Sequence, residues 1–231
     1  MYLKVNGTNL YYEQTGEGTP FLLLHGNGED HRIFDELSHV LSHQYTVFAV
    51  DSRSHGKSSR SGGISYDLMA EDIAAFIHAL KLERPLLYGF SDGGIVGLLL
   101  ASRYPALLSK LIVSGANCNP QGLKAGWRAL FRLEWFFARS PLIRMMLNEP
   151  DIRPEQLARI QIPVLVLVGS RDIIKKKHTG MLAEHISHST IKVLPHETHS
   201  SYVVHKESLY RVIKPFLEEQ LEAADLEEAA E

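Results

Sequence analysis

Short apolar runs alternate with helical hydrophobic periods along most of the chain, and this alternation restricts the possible folds more than any other feature. The helical periods appear where apolar residues recur every three or four positions, as at Met69, Ile73 and Ile77. Short, fully apolar strands that alternate with helices form a parallel sheet covered on both faces. The sequence therefore predicts an α/β fold, with strands at residues 21–24, 45–50, 85–88, 111–113, 164–168 and 190–194.

The first twelve residues predict an antiparallel hairpin that leads into this sheet. Asn6 and Gly7 separate two alternating runs, and both residue types tolerate the positive φ that a type I′ turn needs. The expected sheet is therefore mostly parallel, with one antiparallel element at its N-terminal end.

Residues 119–161 interrupt the alternation, because they contain helical material and no strand-like run. A chain of 231 residues suits one domain, since single α/β domains commonly reach about 200–250 residues. We therefore expect one core, formed by residues 1–118 and 162–231, with residues 119–161 inserted as a small helical lid.

The inserted segment is aromatic as well as helical. Lys124, Arg128 and Arg132 fall on one stripe, and nearly all other side chains around them are apolar. Such a helix is expected to be buried on most sides, over a pocket rather than on a membrane surface. Trp127 and Phe131 are the candidate substrate-binding residues of this lid, because aromatic side chains suit acyl or aryl groups of modest size.

Composition argues against several classes of partner. The formal net charge of −3 gives no basic footprint for nucleic acid, and one cysteine, Cys118, cannot form an internal disulfide. No signal-peptide pattern is visible, and no apolar run approaches the roughly 20 residues of a membrane span. We expect a cytoplasmic protein without a nucleic-acid or membrane partner, with its oligomeric state open.

Residues 218–231, rich in Glu and Ala, are expected to form a solvated helix end or frayed tail.

The strongest motif is Gly89-Phe90-Ser91-Asp92-Gly93, which follows a predicted strand and precedes a predicted helix. This G-x-S-x-G pattern in that context is typical of a nucleophile elbow, in which a strained turn presents the serine hydroxyl at the end of the sheet. Ser91 is the candidate nucleophile.

A second glycine-rich turn, His25-Gly26-Asn27-Gly28, follows another predicted strand. It can direct the backbone N–H of Asn27 towards Ser91, where it would form an oxyanion hole together with the N–H of Asp92. We interpret His25 as a residue that braces this loop by hydrogen bonding rather than as a catalytic group.

These two motifs and the segment at residues 51–58 resemble, in order and spacing, three signature blocks of the α/β-hydrolase superfamily. The similarity extends over nearly the whole chain, and residues 89–117 are especially similar to the biphenyl-hydrolase-like and carboxylesterase branches. Ser54 stands where glycine is usual, in a loop that is structural in the family. In the biphenyl-hydrolase-like branch, the position of Asp92 is associated with recognition of a substrate amino group, so Asp92 is also a candidate substrate-binding residue.

The family's chain order of serine, acid and histidine directs the search for the remaining groups. Asp172 follows the predicted strand at 164–168, at the functional edge of such a sheet. His199 matches the family's histidine block, although Thr198 replaces the usual glycine. His196 is the main alternative base, and His205 is expected to lie on the C-terminal helix at the surface.

Ser91, His199 and Asp172 predict a serine hydrolase that cleaves a small carboxylic ester through an acyl-enzyme intermediate, without cofactor or metal. The same triad serves cofactor-free perhydrolases and C–C or amide hydrolases, and some members of the fold only bind ligands. A zinc site at His196-Glu197-Thr198-His199 is disfavoured, because the two histidines are one residue too close for the H-E-x-x-H helical spacing.

Overall fold

An eight-stranded sheet forms the centre of the protein in the computed structural model, which describes residues 1–60 and 63–219. The strands are β1 (Tyr2–Val5), β2 (Thr8–Thr15), β3 (Thr19–Leu24), β4 (Tyr45–Val50), β5 (Leu86–Phe90), β6 (Lys110–Ser114), β7 (Val164–Gly169) and β8 (Ser189–Leu194). Their order is β1-β2-β4-β3-β5-β6-β7-β8. β2 is antiparallel to β1 and β4, and all other neighbouring pairs are parallel.

Eight α-helices are present in the described ranges. They are α1 (Asp35–Leu41), α2 (Tyr66–Ala79), α3 (Asp92–Arg103), α4 (Ala125–Ala138), α5 (Pro141–Asn148), α6 (Pro154–Leu157), α7 (Lys176–Glu184) and α8 (Ser208–Glu218). Residues of α2 and α3 share one apolar core with one face of the sheet, and residues of α1 and α8 share a second core with the other face.

Strand alternation explains why there are two cores. In β3, Leu22 and Leu24 belong to the first core, while Phe21 and Leu23 belong to the second. Successive side chains of a strand point to opposite faces, so a run that is apolar at every position is buried on both sides. The predicted α/β fold, with its covered parallel sheet, is confirmed.

The predicted strands and hairpin are also confirmed, with shifted boundaries. The six apolar runs correspond to strands β3 to β8, although β5 begins at Leu86 and ends at Phe90 rather than covering residues 85–88. Asn6 and Gly7 connect β1 and β2 with φ of 45° and 76°. Positive φ at both positions is what a type I′ turn requires.

The segment 119–161 is helical and contains α4, α5 and α6. The expectation that its aromatic helix would be buried on most sides is wrong, because no side chain of α4 is buried. The physical reason is that α4 packs mainly along one side, against α5. The division into core and lid stays a prediction.

The sheet ends at β8, which pairs with β7 and exposes most of its side chains, including Ile191 and Val193.

Among the described residues, no helix is both long and apolar enough to cross a bilayer. Residues 220–231 of the expected tail lie outside the described residues.

Candidate active site

Ser91 occupies a sharp turn between β5 and α3. Its backbone has φ 51° and ψ −112°, a conformation that costs free energy for a residue with a side chain. The Ser91 N–H donates to the Ser114 carbonyl at 2.7 Å. A Cβ on Gly93 would lie 2.1 Å from the Leu24 carbonyl oxygen, and one on Gly89 would lie 2.2 Å from the Gly93 carbonyl oxygen. Glycine on both sides is therefore required by close backbone contacts.

His199 lies between Ser91 and Asp172. Its Nε2 is 3.0 Å from the Ser91 Oγ, and its Nδ1 is 2.8 Å from the Asp172 Oδ1. The same Oδ1 accepts the Ile174 N–H at 2.9 Å, and the Phe90 ring packs 5.0 Å from the imidazole. Three segments that follow β5, β7 and β8 thus bring the three predicted residues into one hydrogen-bonded chain.

The alternative histidines lie elsewhere. His196 is exposed, and its backbone N–H donates to the Ser170 Oγ. His205 precedes α8, so the expectation that it lies on that helix is wrong, while its expected surface position is confirmed by 53% side-chain exposure. The residue lies before the helix because residues 201–205 form a turn. Its Nδ1 lies 3.1 Å from the Glu36 Oε2.

The backbone around Ser91 leaves two N–H groups available near the nucleophile. The Ser91 and Gly93 N–H groups donate to carbonyls of Ser114 and His25. Within residues 1–60 and 63–219, the Asp92 N–H between them has no acceptor, and neither does the Asn27 N–H. Because Asp92 begins α3, its N–H also lies at the positive end of the helix dipole.

His25 is completely buried and braces the turn, as expected. Its Nδ1 lies 2.8 Å from the Gly26 carbonyl oxygen, and its Nε2 accepts the Ser52 N–H at 3.0 Å. This pattern assigns the single ring proton to Nδ1. Burial, followed by the neighbouring His55, lowers the pKa of His25 to about 4, so the ring is neutral at pH 7.

The Asp92 carboxylate is buried behind the turn. It accepts hydrogen bonds from the Tyr66 hydroxyl at 2.7 Å and from the Asn27 side-chain amide at 2.8 Å. Burial raises the pKa of Asp92, against these two hydrogen bonds. The same Asn27 amide reaches the Leu142 carbonyl of α5 at 3.3 Å. Sequence inspection missed Tyr66, since nothing in the pattern of α2 separates it from other core residues.

A cavity of about 430 Å³ opens above Ser91 and His199. Phe131 lines it, whereas Trp127 is 44% exposed and is not among its lining residues, and neither is Asp92. Among the described lining residues, the carboxylates are those of Glu29 and Glu134, and no lysine or arginine takes part. Burial raises the pKa of Glu29. Sequence inspection missed Glu29, which directly follows the predicted Asn27-Gly28 turn.

One other group of side chains could reach a shared cation. Ligand atoms of Asp30, His31 and Asp51 lie within 4.8 Å of one another. The Asp51 Oδ1 already accepts the His31 N–H and contacts the His31 Nδ1, each at 2.7 Å, while Asp30 pairs with Arg32. These atoms are satisfied by protein partners, and the group fits a structural role.

Comparison with known families decides the assignment. The family model described as alpha/beta hydrolase fold matches residues 19–139. The chain is an α/β-hydrolase. The expected resemblance of this α/β-hydrolase to biphenyl-hydrolase-like proteins and esterases is confirmed by its relatives.

Two curated relatives illustrate this. The hydrolase is 28% identical to human "Serine hydrolase BPHL", covering 93% of this chain and 84% of the relative. It is 30% identical to "3-oxoadipate enol-lactonase 2" of Acinetobacter baylyi, covering 65% of this chain and 71% of the relative. The enol-lactonase structure from Burkholderia xenovorans superposes with a TM-score of 0.79 at 20% identity, covering 95% and 100% of the two chains.

Proposed function

We propose that this hydrolase is a serine esterase that cleaves small carboxylic esters through an acyl-enzyme intermediate. The observation that carries the proposal is the continuous chain from the Ser91 Oγ to the His199 Nε2 and from the His199 Nδ1 to the Asp172 Oδ1. A serine hydroxyl needs such a base to attack a carbonyl carbon, and the base needs a group that fixes its tautomer.

In the acylation step, the Ser91 oxygen bonds to the ester carbonyl carbon while its proton passes to the His199 Nε2. The resulting imidazolium is stabilised by Asp172, and it returns the proton to the departing alkoxide as the C–O bond breaks. The products of this step are an acyl group on Ser91 and a free alcohol.

The oxyanion of each tetrahedral intermediate would accept hydrogen bonds from the N–H groups of Asn27 and Asp92. Removal of one preorganised donor of this kind commonly costs about 10²–10³-fold in kcat. Water then replaces the alcohol: His199 takes its proton, the hydroxide attacks the acyl carbon, and Ser91 recovers its proton as the acid departs.

The charged residues that line the cavity limit which acyl groups can bind. Glu29 and Glu134 face the site without a basic lining residue in the described chain, so an anionic acyl group would be repelled. The apolar part of the lining, which includes Phe131, Leu142 and Ile143, suits a short neutral acyl chain. Because one relative is an enol-lactonase, neutral cyclic esters belong to the same proposed class.

Hydrolysis of p-nitrophenyl esters of increasing chain length tests the proposal. Ser91→Ala and His199→Ala are expected to abolish turnover, whereas Ser140→Ala, which removes another hydroxyl from the cavity lining, should retain it. Full activity of Ser91→Ala would overturn the assignment. Absence of ester turnover with Ser91 still labelled by a fluorophosphonate would move the reaction to an amide or a C–C bond.

A further inference from the structure

The outer face of α4 is an exposed apolar surface. Leu133 is 55% exposed and Phe137 is 75% exposed. The complete outer face consists of Trp127, Leu130, Leu133, Phe136 and Phe137, each at least 44% exposed. Contiguous large apolar side chains of this kind mark an interaction site rather than ordinary surface.

Basic side chains border this face. On a helical wheel, Arg128 and Arg132 lie along one edge of the outer face. Arg139, the residue after α4, places its guanidinium 5.3 Å from the centre of the Phe136 ring. Between residues 119 and 148 there are five basic residues and one acidic residue, Glu134. The whole chain has a net charge of −3, so positive charge is concentrated beside the apolar face.

A cleft of about 430 Å³ between α4 and α5 adds a second feature. It is lined by the arginines Arg132 and Arg144, together with apolar and amide groups from Trp135, Phe136, Leu147 and Asn148. Guanidinium groups bind phosphate oxygens in bidentate fashion. The cleft therefore offers charge for a phosphate next to apolar surface for hydrocarbon.

We propose that the outer face of α4 binds the surface of a lipid bilayer that contains anionic phospholipids. Trp, Phe and Leu on one face with arginines at its edge is the pattern of a helix that lies in the membrane interface. The sequence disfavours a membrane surface, because the apolar arc of this helix is broad for a surface helix with a strongly polar face. In the structure, however, α4 has no buried side chain, so its apolar outer face is exposed rather than covered by the protein.

Charge favours a bilayer over a second copy of the chain. A two-fold symmetric contact through α4 would place the same surface on both sides of the interface. In an antiparallel contact of this kind, the arginine edges of the two helices would lie on the same side and repel each other. An anionic bilayer supplies both the opposite charge and the apolar phase.

Sedimentation with vesicles tests this proposal, with phosphatidylcholine alone and with phosphatidylcholine that contains phosphatidylglycerol. We expect at least about tenfold stronger binding to the anionic vesicles at low salt, decreasing as salt is added. The Ser91→Ala protein should bind equally well, so the result is independent of the proposed catalysis.

Two double variants separate the contributions of apolar and basic side chains to vesicle binding. Leu133→Ser with Phe137→Ser is expected to abolish binding, and Arg132→Glu with Arg139→Glu should abolish the preference for anionic vesicles. Matched changes elsewhere, Leu68→Ser on α2 and Lys176→Glu on α7, should alter neither. Because all four substituted side chains are exposed, the variants should keep the wild-type melting temperature.

Two results would contradict binding of α4 to a bilayer. No sedimentation with anionic vesicles at low salt would overturn the proposal. So would a dimer in light scattering that the Leu133→Ser, Phe137→Ser variant converts to monomers, if the wild-type protein does not bind vesicles. That outcome would assign the face to a second copy of the chain.

Discussion

Gly115 lies directly against the imidazole of His199. A Cβ on Gly115 would be 2.7 Å from the His199 Cε1 and 2.8 Å from its Nδ1, closer than atoms in van der Waals contact can approach. Gly115 also has a φ of +64°, which other residues adopt at a cost. This position, at the end of β6, therefore keeps open the space in which the ring contacts Ser91 and Asp172.

Gly115→Ala should reduce ester hydrolysis because the new methyl group displaces the His199 ring. A displacement of about 1 Å at a reacting group can cost roughly 100-fold in rate, so we expect kcat/KM to fall by about that factor. The measurement is steady-state hydrolysis, together with the melting temperature to identify folded protein. Gly180→Ala is the control, since a Cβ there meets nothing within 4 Å. A folded Gly115→Ala enzyme with wild-type kcat/KM would contradict the prediction.

Tyr66→Phe should destabilise the protein because it removes one of two hydrogen bonds to the buried Asp92 carboxylate. Loss of a hydrogen bond to a charged buried group costs about 2 kcal/mol in free energy of unfolding. Urea denaturation measures this change. Tyr104→Phe is the matched control, because its hydroxyl contacts Glu71 at 2.7 Å near the surface, and it should cost less than about 0.5 kcal/mol. If both variants lose the same free energy of unfolding, burial of Asp92 does not strengthen its hydrogen bond with Tyr66.

Stability should fall in mild acid through His25. The unfolded chain binds a proton at this histidine with a pKa near 6.5, whereas the folded state binds it only at about 4. Protons therefore favour the unfolded state, and this contribution to stability is lost as the pH falls from 6.5 towards 4. Between pH 7 and pH 5 the loss is on the order of 2 kcal/mol.

The His25→Gln variant isolates that contribution. Its free energy of unfolding should fall less between pH 7 and pH 5 than that of the wild type, while the exposed His78→Gln control should follow the wild type. Urea denaturation at the two pH values provides the comparison. If the free energy of unfolding falls equally between pH 7 and pH 5 in His25→Gln and in the wild type, the buried imidazole is not held neutral as predicted.

Phe131→Ala should change the preferred length of the acyl chain. Because Phe131 lines the cavity, its removal should raise kcat/KM for an octanoate ester relative to an acetate ester by about tenfold, through burial of additional methylene groups. Trp127 lies outside the lining, with its ring 6.0 Å from that of Phe131. Trp127→Ala should therefore leave the ratio unchanged. A change in the ratio confined to Trp127→Ala would reverse this assignment of the two aromatic residues.

Glu29→Gln should relax the discrimination against anionic acyl groups. We compare esters of equal length whose acyl chains end in a methyl or a carboxylate group. Removal of one partly buried negative charge should raise the relative kcat/KM of the anionic ester by about tenfold. Glu155→Gln on α6, away from the cavity lining, is the control. If the ratio does not change in Glu29→Gln, the cavity charge does not select the substrate.

The sequence allowed prediction of the features that depend on local pattern. The apolar runs identified the strands, and a glycine on each side of Ser91 identified the turn. Asp172 and His199 followed from strand order and family resemblance, because the carboxyl ends of parallel strands meet at one edge. Their functional roles remain part of the proposal.

Other features depend on packing between distant segments and left no local signal. The contact of Tyr66 with Asp92 joins α2 to the start of α3, and the approach of Gly115 to His199 joins the ends of β6 and β8. The periodicity of α4 indicated apolar side chains, but periodicity cannot reveal whether the rest of the chain supplies a surface to cover them.

The position of β8 has a consequence for how activity is lost. This edge strand is hydrogen-bonded along one side, exposes most of its side chains and leads directly to the loop that carries His199. Edge elements with few buried contacts open at a lower free energy than the core of a domain. Such local unfolding would separate the imidazole from Ser91 while β3, β5 and β6 remain folded. The hydrolase should therefore become inactive at denaturant concentrations below those that unfold its sheet.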